Sequence, residues 1–352
     1  MHPGDLALTR RTMLRAALGV GAGATLASVL AACTPGRSTP VTSSPSTSNA
    51  TVTPNRTPAA GGAGANAIPA ELAPVPAAFA SPADRQGTLV ELNYSTYEST
   101  TYERKTDELS KRAIVYLPHG YNEATRYNVF YLMHGGWGNE TATLGTPGSP
   151  TDFKNVIDNA IAAAEIAPLI VVCPTYNNTS PDDSADFGLA LRLNQNYRHE
   201  LLNDLLPAVE SEFSTYADDV SPRGLMASRD HRGFGGFSMG AVSTWLTFQY
   251  GLDYFRYFLP MSCGTALDMD NIVDAARNTD ESGFFVWVIT GSNDFAHSYD
   301  VSRVELMRRS AGFSEANSER DGNFAFRVKE GYAHDGVAAQ EYTYNGLRWF
   351  WA

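Results

Sequence analysis

Cysteine is scarce in this sequence: of 352 residues only three are cysteines, at positions 33, 173 and 263. There is no C-x-x-C pair and no cluster of histidine with cysteine, so the usual zinc motifs are excluded and we expect no metal. Cys173 and Cys263 each end a predicted core strand, and we do not expect those two strands to be neighbours. Since bridged Cα atoms lie within about 7 Å, the sequence predicts two buried free thiols rather than a disulfide.

Basic residues are also few. Lysine and arginine total 26 against 38 aspartates and glutamates, which gives a net charge of −12. A surface of this sign repels phosphate backbones and anionic lipid headgroups. The charge therefore predicts no nucleic-acid partner and no attachment to a membrane through the protein surface.

No long, strongly hydrophobic run is present, and residues 16–32 come nearest to one. They are Gly/Ala-rich, and they are short and weakly apolar for a permanent membrane span. The twin-arginine pattern at Arg10 and Arg11 precedes them, and they lead into a Leu-Ala-Ala-Cys lipobox that ends at Cys33. We expect residues 1–33 to be a twin-arginine-type lipoprotein signal peptide, so that the protein is exported and held on the outer face of the cell membrane only through a lipid at Cys33. The alternatives are an ordinary signal peptide with a chance cysteine, or a membrane-spanning helix.

The next segment, residues 34–84, is dominated as far as about residue 70 by Ser, Thr, Pro, Ala, Gly and Asn. Such a composition cannot bury enough apolar surface to offset the entropy of ordering the chain. We therefore expect residues 34–84 to be a disordered tether. Residues 85–352 are then expected to form a single catalytic domain.

Within residues 85–352, short apolar runs alternate with helical patterns. The strands are predicted at 113–117, 129–133, 169–172, 233–237, 258–261, 284–290 and 324–329. The helices are predicted at 152–165, 197–213, 241–250, 271–277, 302–309 and 339–350. This alternation is typical of an α/β domain with a doubly wound, mostly parallel sheet, to which residues 89–94 would add an antiparallel edge strand.

A serine nucleophile is indicated by residues 236–240, which read G-x-S-x-G around Ser238. The motif follows a short Gly-rich apolar strand and precedes a helical pattern, which is the context it requires. A serine on such a turn projects its Oγ away from the sheet, and the small flanking residues let neighbouring backbone approach. The sequence therefore predicts that Ser238 is a hydrolase nucleophile.

The acid and base of a catalytic triad should follow the serine in that order. Asp294 comes directly after the predicted strand 284–290, and His334 follows the strand 324–329. His334 would be the general base, and Asp294 would fix its tautomer. The alternatives are His297 as the base and, as the acid, Asp268, Asp270 or Asp300.

An oxyanion hole needs two backbone amides, and Met239 supplies the first by its position after the nucleophile. The second would come from the H-G-G turn after strand 129–133, where either Gly136 or Trp137 is the donor. His134 of that turn is expected to be structural. Trp137 is also a candidate for binding substrate, as are Tyr176 and Asn177, although a packing role is the alternative.

Several blocks of this domain resemble the feruloyl esterases of carbohydrate esterase family 1, in particular the esterase modules attached to clostridial xylanases. The blocks are residues 130–136, 168–175, 231–242, 290–294 and 342–347. The resemblance implies an α/β-hydrolase fold, the triad Ser238, Asp294 and His334, and no cofactor. It also implies hydrolysis of hydroxycinnamoyl esters on the arabinose side chains of xylan.

The sequence departs from the family pattern in two places. Asp335, Gly336 and Val337 follow His334 where the family has aromatic residues, and Trp137 occupies a position of glycine. The pocket wall is therefore expected to differ. Acetyl xylan esterase activity and mycolyltransferase-like acyl transfer are the alternatives that keep the chemistry, and a non-catalytic glycan-binding surface lipoprotein is the alternative of another class.

Overall fold

The computed structural model describes residues 57–58, 67–279 and 283–352, so the predicted signal peptide with Cys33 lies outside the described residues. All elements below belong to the compact unit Thr53–Ala352. Among the described residues, no helix combines the length and apolarity that a membrane crossing requires.

Eight strands of the described chain form one sheet. Their order is β8-β7-β6-β5-β3-β4-β2-β1. The strands are β1 (Thr88–Tyr97), β2 (Glu108–Leu117), β3 (Asn128–Met133), β4 (Leu169–Cys173), β5 (Arg232–Phe237), β6 (Tyr257–Met261), β7 (Phe285–Gly291) and β8 (Phe324–Lys329).

Strands β3 to β8 are parallel, and β2 runs antiparallel to both β1 and β4. The doubly wound, mostly parallel sheet and its antiparallel edge strand are thus confirmed. Because the parallel strands all end at one edge, the loops that follow β3, β5, β7 and β8 meet there.

Eight α-helices pack on the two faces of the sheet within the described ranges. They are α1 (Asp152–Ala162), α2 (Phe187–Glu200), α3 (Leu206–Glu212), α4 (Pro222–Ala227), α5 (Met239–Gly251), α6 (Met269–Arg277), α7 (His297–Arg309) and α8 (Gly336–Trp349). The helix predicted at 197–213 begins earlier, at Phe187, because the Asp186 carboxylate caps it by accepting from the Leu189 amide at 2.8 Å. A π-helical turn, Leu201–Leu205, joins it to α3.

The sheet is buried between two apolar clusters, one on each face. Trp245 of α5 and Trp287 of β7 are fully buried, in line with their predicted core positions. Cys173 and Cys263 are both buried and both free, which confirms the expected thiols. Cys173 ends β4 and Cys263 follows β6, and strands β3 and β5 lie between β4 and β6, which keeps the two thiols from pairing.

The predicted domain start at residue 85 is too late, because residues 68–84 pack on the sheet. Ile68 and Leu72 are 3% and 4% exposed. The backbone of this segment is bound by side chains of the domain: Lys329 Nζ donates to the Leu72 carbonyl at 2.7 Å, and Asn345 exchanges two hydrogen bonds with Ala73. Residues 68–84 are therefore part of the fold and not of the tether.

Removing this segment is expected to destabilise the domain. A buried aliphatic side chain contributes about 1.5–3 kcal/mol, so a protein that begins at residue 85 should lose several kcal/mol of unfolding free energy relative to one that begins at residue 67. Urea unfolding measures the difference. Leu72→Ala should cost about 2–3 kcal/mol, whereas the exposed neighbour Glu71→Ala should leave stability within about 0.5 kcal/mol. Equal midpoints for the two chain lengths would contradict the packing role.

Candidate active site

Ser238 lies on the sharp turn between β5 and α5. Its backbone is held at φ 60° and ψ −116°, and its amide donates to the Met261 carbonyl of β6 at 2.9 Å. A Cβ on Gly236 would lie 2.6 Å from the Gly240 carbonyl carbon, and a Cβ on Gly240 would lie 2.3 Å from the Met133 carbonyl oxygen. Both glycines of the motif are therefore required by the close approach of backbone.

Asp294 and His334 are brought together from two different loops. His334 Nδ1 lies 2.9 Å from both carboxylate oxygens of Asp294, whose side chain is buried. Phe237, the residue before the serine, packs against the imidazole of His334, with 4.5 Å between the centroids of the two rings. The structure therefore places the predicted acid and base in contact beside the predicted nucleophile, whereas His297 begins α7.

The environment of Asp294 keeps it ionised. Burial alone would raise the pKa of this carboxyl, but the hydrogen bonds from His334 and from the Ala296 amide at 2.7 Å lower it below its usual value. A carboxylate in this state accepts the Nδ1 proton of His334 and leaves Nε2 free to act as a base.

Two of the three alternative acids have structural roles. Asp300 is fully buried, accepts from the Cys263 amide and pairs with Arg303. Asp268 caps α6, and Asp270 is exposed in the first turn of the same helix.

His134 fixes the turn that follows β3 through hydrogen bonds of both its ring nitrogens. Its Nδ1 donates to the Gly135 carbonyl at 2.7 Å, and its Nε2 lies 2.8 Å from the Thr175 hydroxyl. Burial lowers the pKa of His134 to about 4, so the ring is neutral near pH 7. Lys111 extends this support, since its Nζ donates to the Thr175 carbonyl and to Glu200, each at 2.8 Å. The structural role expected of His134 is confirmed.

The two candidate oxyanion donors of this turn are distinguished by their partners. The Trp137 amide donates to the Ser184 carbonyl at 3.0 Å and is therefore already engaged. Gly136 and Met239 line the same cavity as Ser238, which has a volume of about 120 Å³. The geometry thus favours the amides of Gly136 and Met239 as the pair that could hold an oxyanion.

Three large aromatic side chains wall this cavity, which we call the Trp137 cavity (Gly136, Trp137, Phe187, Ser238, Met239 and Phe295). Trp137, Phe187 and Phe295 are 80%, 55% and 62% exposed. Trp137 has a φ of 58°, a region that favours glycine. Phe187 and Phe295 were not predicted from the sequence, although Phe295 directly follows the predicted acid.

The prediction that Tyr176 and Asn177 bind substrate is wrong. Both are buried, at 2% and 3% exposure. The Tyr176 hydroxyl donates to the Gly135 carbonyl at 3.1 Å, and the Asn177 amide donates to the carbonyls of Gly138 and Pro181. These side chains support the turns around the cavity instead of lining it.

No group of three or more His, Cys, Asp or Glu side chains in the described part of the chain could hold a metal ion. The arrangement at Ser238 consists of a hydroxyl on a strained turn, an imidazole oriented by a carboxylate, and amides around the hydroxyl, which are the parts that nucleophilic catalysis by a serine uses.

Residues 108–301 match the esterase family described as "Putative esterase", and the chain belongs to this family. The chain is a serine carboxylic ester hydrolase with the α/β-hydrolase fold. The matched residues contain Ser238 and Asp294.

Among its relatives, the chain is 34% identical over 285 residues to endo-1,4-beta-xylanase Y of Acetivibrio thermocellus, and this match covers 79% of the chain but 24% of the xylanase. A serine-to-alanine mutant of the feruloyl esterase module from Clostridium thermocellum, complexed with sinapinate, is 32% identical with a TM-score of 0.69 and covers 82% of this chain and 96% of the module. A ferulic acid esterase of the anaerobic fungus Anaeromyces mucronatus shares the fold at 20% identity, with a TM-score of 0.56, covering 80% of this chain and 98% of the fungal chain. The chain thus spans about a quarter of the curated xylanase that it matches.

Asp294→Asn is expected to lower kcat by about 10⁴-fold while the fold is kept. The side-chain amide of the asparagine stabilises the wrong tautomer of His334 and does not stabilise the imidazolium. Hydrolysis of p-nitrophenyl acetate measures the change. His297→Gln is the matched control and should keep activity close to that of the unaltered protein. Loss of activity in His297→Gln together with retention in Asp294→Asn would show that the base is His297.

Proposed function

We propose that this esterase hydrolyses hydroxycinnamoyl esters, with ferulate as the acyl group, from the carbohydrate of plant cell walls. The observation that carries the proposal is the wall of exposed aromatic rings around Ser238, formed by Trp137, Phe187 and Phe295. Offset or edge-to-face contacts with a planar aromatic acyl group are what such rings favour. The relatives described as feruloyl esterases, one of them complexed with sinapinate, support the same acyl class.

In the proposed reaction, the Ser238 hydroxyl attacks the ester carbonyl while His334 takes its proton. The amides of Gly136 and Met239 hold the oxyanion, and Asp294 stabilises the imidazolium. His334 then protonates the leaving alcohol, which yields an acyl-enzyme on Ser238. A water deprotonated by His334 releases the acid and restores the serine.

The acyl group is tested with methyl ferulate, p-nitrophenyl acetate and p-nitrophenyl butyrate. We expect turnover of methyl ferulate that is lost in Ser238→Ala. Trp137→Gly should lower kcat/KM for methyl ferulate by about tenfold but spare p-nitrophenyl acetate, because one aromatic contact contributes about 0.5–1.5 kcal/mol beyond its buried area. Glycine adopts the positive φ of position 137 without strain, so the variant removes the ring alone.

The control for the Trp137 variant is Val337→Ala, which removes an exposed apolar side chain outside the cavity and should change neither rate. Turnover of the two p-nitrophenyl esters without turnover of methyl ferulate would support the serine mechanism and contradict ferulate as the acyl group. That result would favour acetyl xylan esterase activity. A folded protein without any turnover would favour the glycan-binding alternative. An acyl sugar formed in the presence of excess sugar would favour acyl transfer.

We also propose that the protein is exported and lipidated at Cys33, on the basis of the twin arginines at Arg10 and Arg11 and the lipobox that ends at Cys33. In a bacterial host with the twin-arginine pathway, a labelled fatty acid should be incorporated into the protein and found in the membrane fraction. Cys33→Ser should abolish the label, and replacing both arginines with lysine should block export. A wild-type protein without label would contradict lipidation.

A further inference from the structure

The loop that follows β6, residues 262–265, borders both the nucleophile and the Trp137 cavity, and we call it the β6 loop. Just before it, the Met261 carbonyl accepts the hydrogen bond of the Ser238 amide at 2.9 Å. Within it, Gly264 and Thr265 line the Trp137 cavity. The position of this loop therefore bears on the geometry of the site.

Gly264 of the β6 loop forms a seat for the ring of Phe295. A Cβ built on Gly264 would lie 2.2 Å from Cε2 of Phe295, so the edge of the ring lies directly on the backbone of the loop. The same ring packs against the His334 imidazole, with 4.3 Å between the two ring centroids. Phe237 packs against that imidazole as well. The β6 loop thus reaches the proposed base through a single side chain.

Two charged side chains of α7 hold the β6 loop from the interior of the protein. Asp300 and Arg303 are both buried, and they form an ion pair with each other. The Cys263 amide donates to Asp300 Oδ2 at 3.1 Å, and Arg303 Nη2 donates to the Thr265 carbonyl at 2.9 Å. The backbone is therefore held on both sides of Gly264.

Stability alone does not explain why a charged pair lies here. A buried ion pair is often no more stabilising than apolar side chains of similar volume, because both charges lose their hydration. A second pair of the same kind, Arg232 with Glu210, is equally buried, and Arg232 also donates to two backbone carbonyls. It lies at the beginning of β5, about 20 Å along the strand from Ser238. The two pairs share their chemistry and differ in their distance from the site.

We infer that Arg303 and Asp300 are positioning residues for ester hydrolysis. By holding the β6 loop they fix the place of the Phe295 ring, and that ring limits the orientations open to the His334 imidazole. Neither charged side chain lines the Trp137 cavity, so both act through the loop and not on the ester. The inference rests on the proposed role of His334 as the base, and it does not depend on which acyl group the enzyme takes.

Arg303→Lys tests the inference with p-nitrophenyl acetate as the substrate. Lysine keeps the charge, but its single amine does not reproduce the planar fork of the guanidinium that reaches both Asp300 and the Thr265 carbonyl. We expect kcat to fall by about tenfold or more, because a misplacement of about 1 Å can cost about a hundredfold in rate. KM should stay within about twofold, as for the loss of an interaction made in the transition state. Arg232→Lys is the matched control, which should lower the urea midpoint by a similar amount and leave kcat unchanged.

Two further variants test the pair without an unpaired charge and test the route through the ring. Asp300→Leu combined with Arg303→Met removes both charges, a replacement that often leaves stability unchanged, and it should lower kcat in the same way. In a Phe295→Ala background, Arg303→Lys should lower kcat by less than about threefold further, because the two changes then act on the same contact.

The outcomes decide between a positioning role and a structural role. An unaltered kcat in the folded Arg303→Lys protein or in the folded apolar variant would overturn the inference. An undiminished loss in the Phe295→Ala background would overturn the route through the ring. Hydrolysis that persists in Ser238→Ala would reject the proposed mechanism and the inference with it. The proposed acyl group is tested separately, with methyl ferulate and the unaltered protein.

Discussion

The site depends on one strained turn, the backbone of Ser238 at φ 60° and ψ −116°. Such a conformation costs about 1–3 kcal/mol and persists only where its surroundings fix it. Here the Ser238 amide bonds to the end of β6, and Gly240 lies against the end of β3. The turn therefore ties three strand ends together. The same packing that exposes the hydroxyl also sets its distance from the turn after β3, which carries the proposed oxyanion donor.

The sequence alone was sufficient to predict the candidate site residues that lie after the ends of strands. Ser238, Asp294 and His334 each lie in the turn or loop that follows a predicted strand, and the carboxyl ends of parallel strands meet at one edge whatever the details of packing. Asp294 and His334 could therefore be paired before any contact was known. The sheet was predictable for the same reason, since alternating apolar strands and helices have few ways to bury both faces.

The side chains that shape the cavity could not be predicted in this way. Tyr176 and Phe295 both follow a strand, yet one is buried beneath the turn after β3 and the other is exposed at the site. In the sequence, both are aromatic residues shortly after a strand, so residue type and position do not distinguish them. Only the path of the loop determines which side chain is buried and which lines the cavity. The error at residues 68–84 has a similar origin, because Ile68 and Leu72 lie in an Ala- and Pro-rich segment without a strand or helix pattern, and this segment is held by hydrogen bonds from the distant α8 and β8.

The turn after β3 carries both the proposed oxyanion donor, Gly136, and one aromatic wall of the cavity, Trp137. His134, neutral and buried, holds the Gly135 carbonyl, and this fixes the direction of the Gly136 amide. The next residue is Trp137, whose amide donates a hydrogen bond to the Ser184 carbonyl. Its backbone has a positive φ, a conformation that glycine would adopt more easily. A positive φ costs a side-chain-bearing residue about 1–2 kcal/mol. A tryptophan at that position stabilises nothing in the core, since its ring is exposed, and the ring instead forms part of the wall of the cavity beside Ser238, where we propose that it contacts the acyl group.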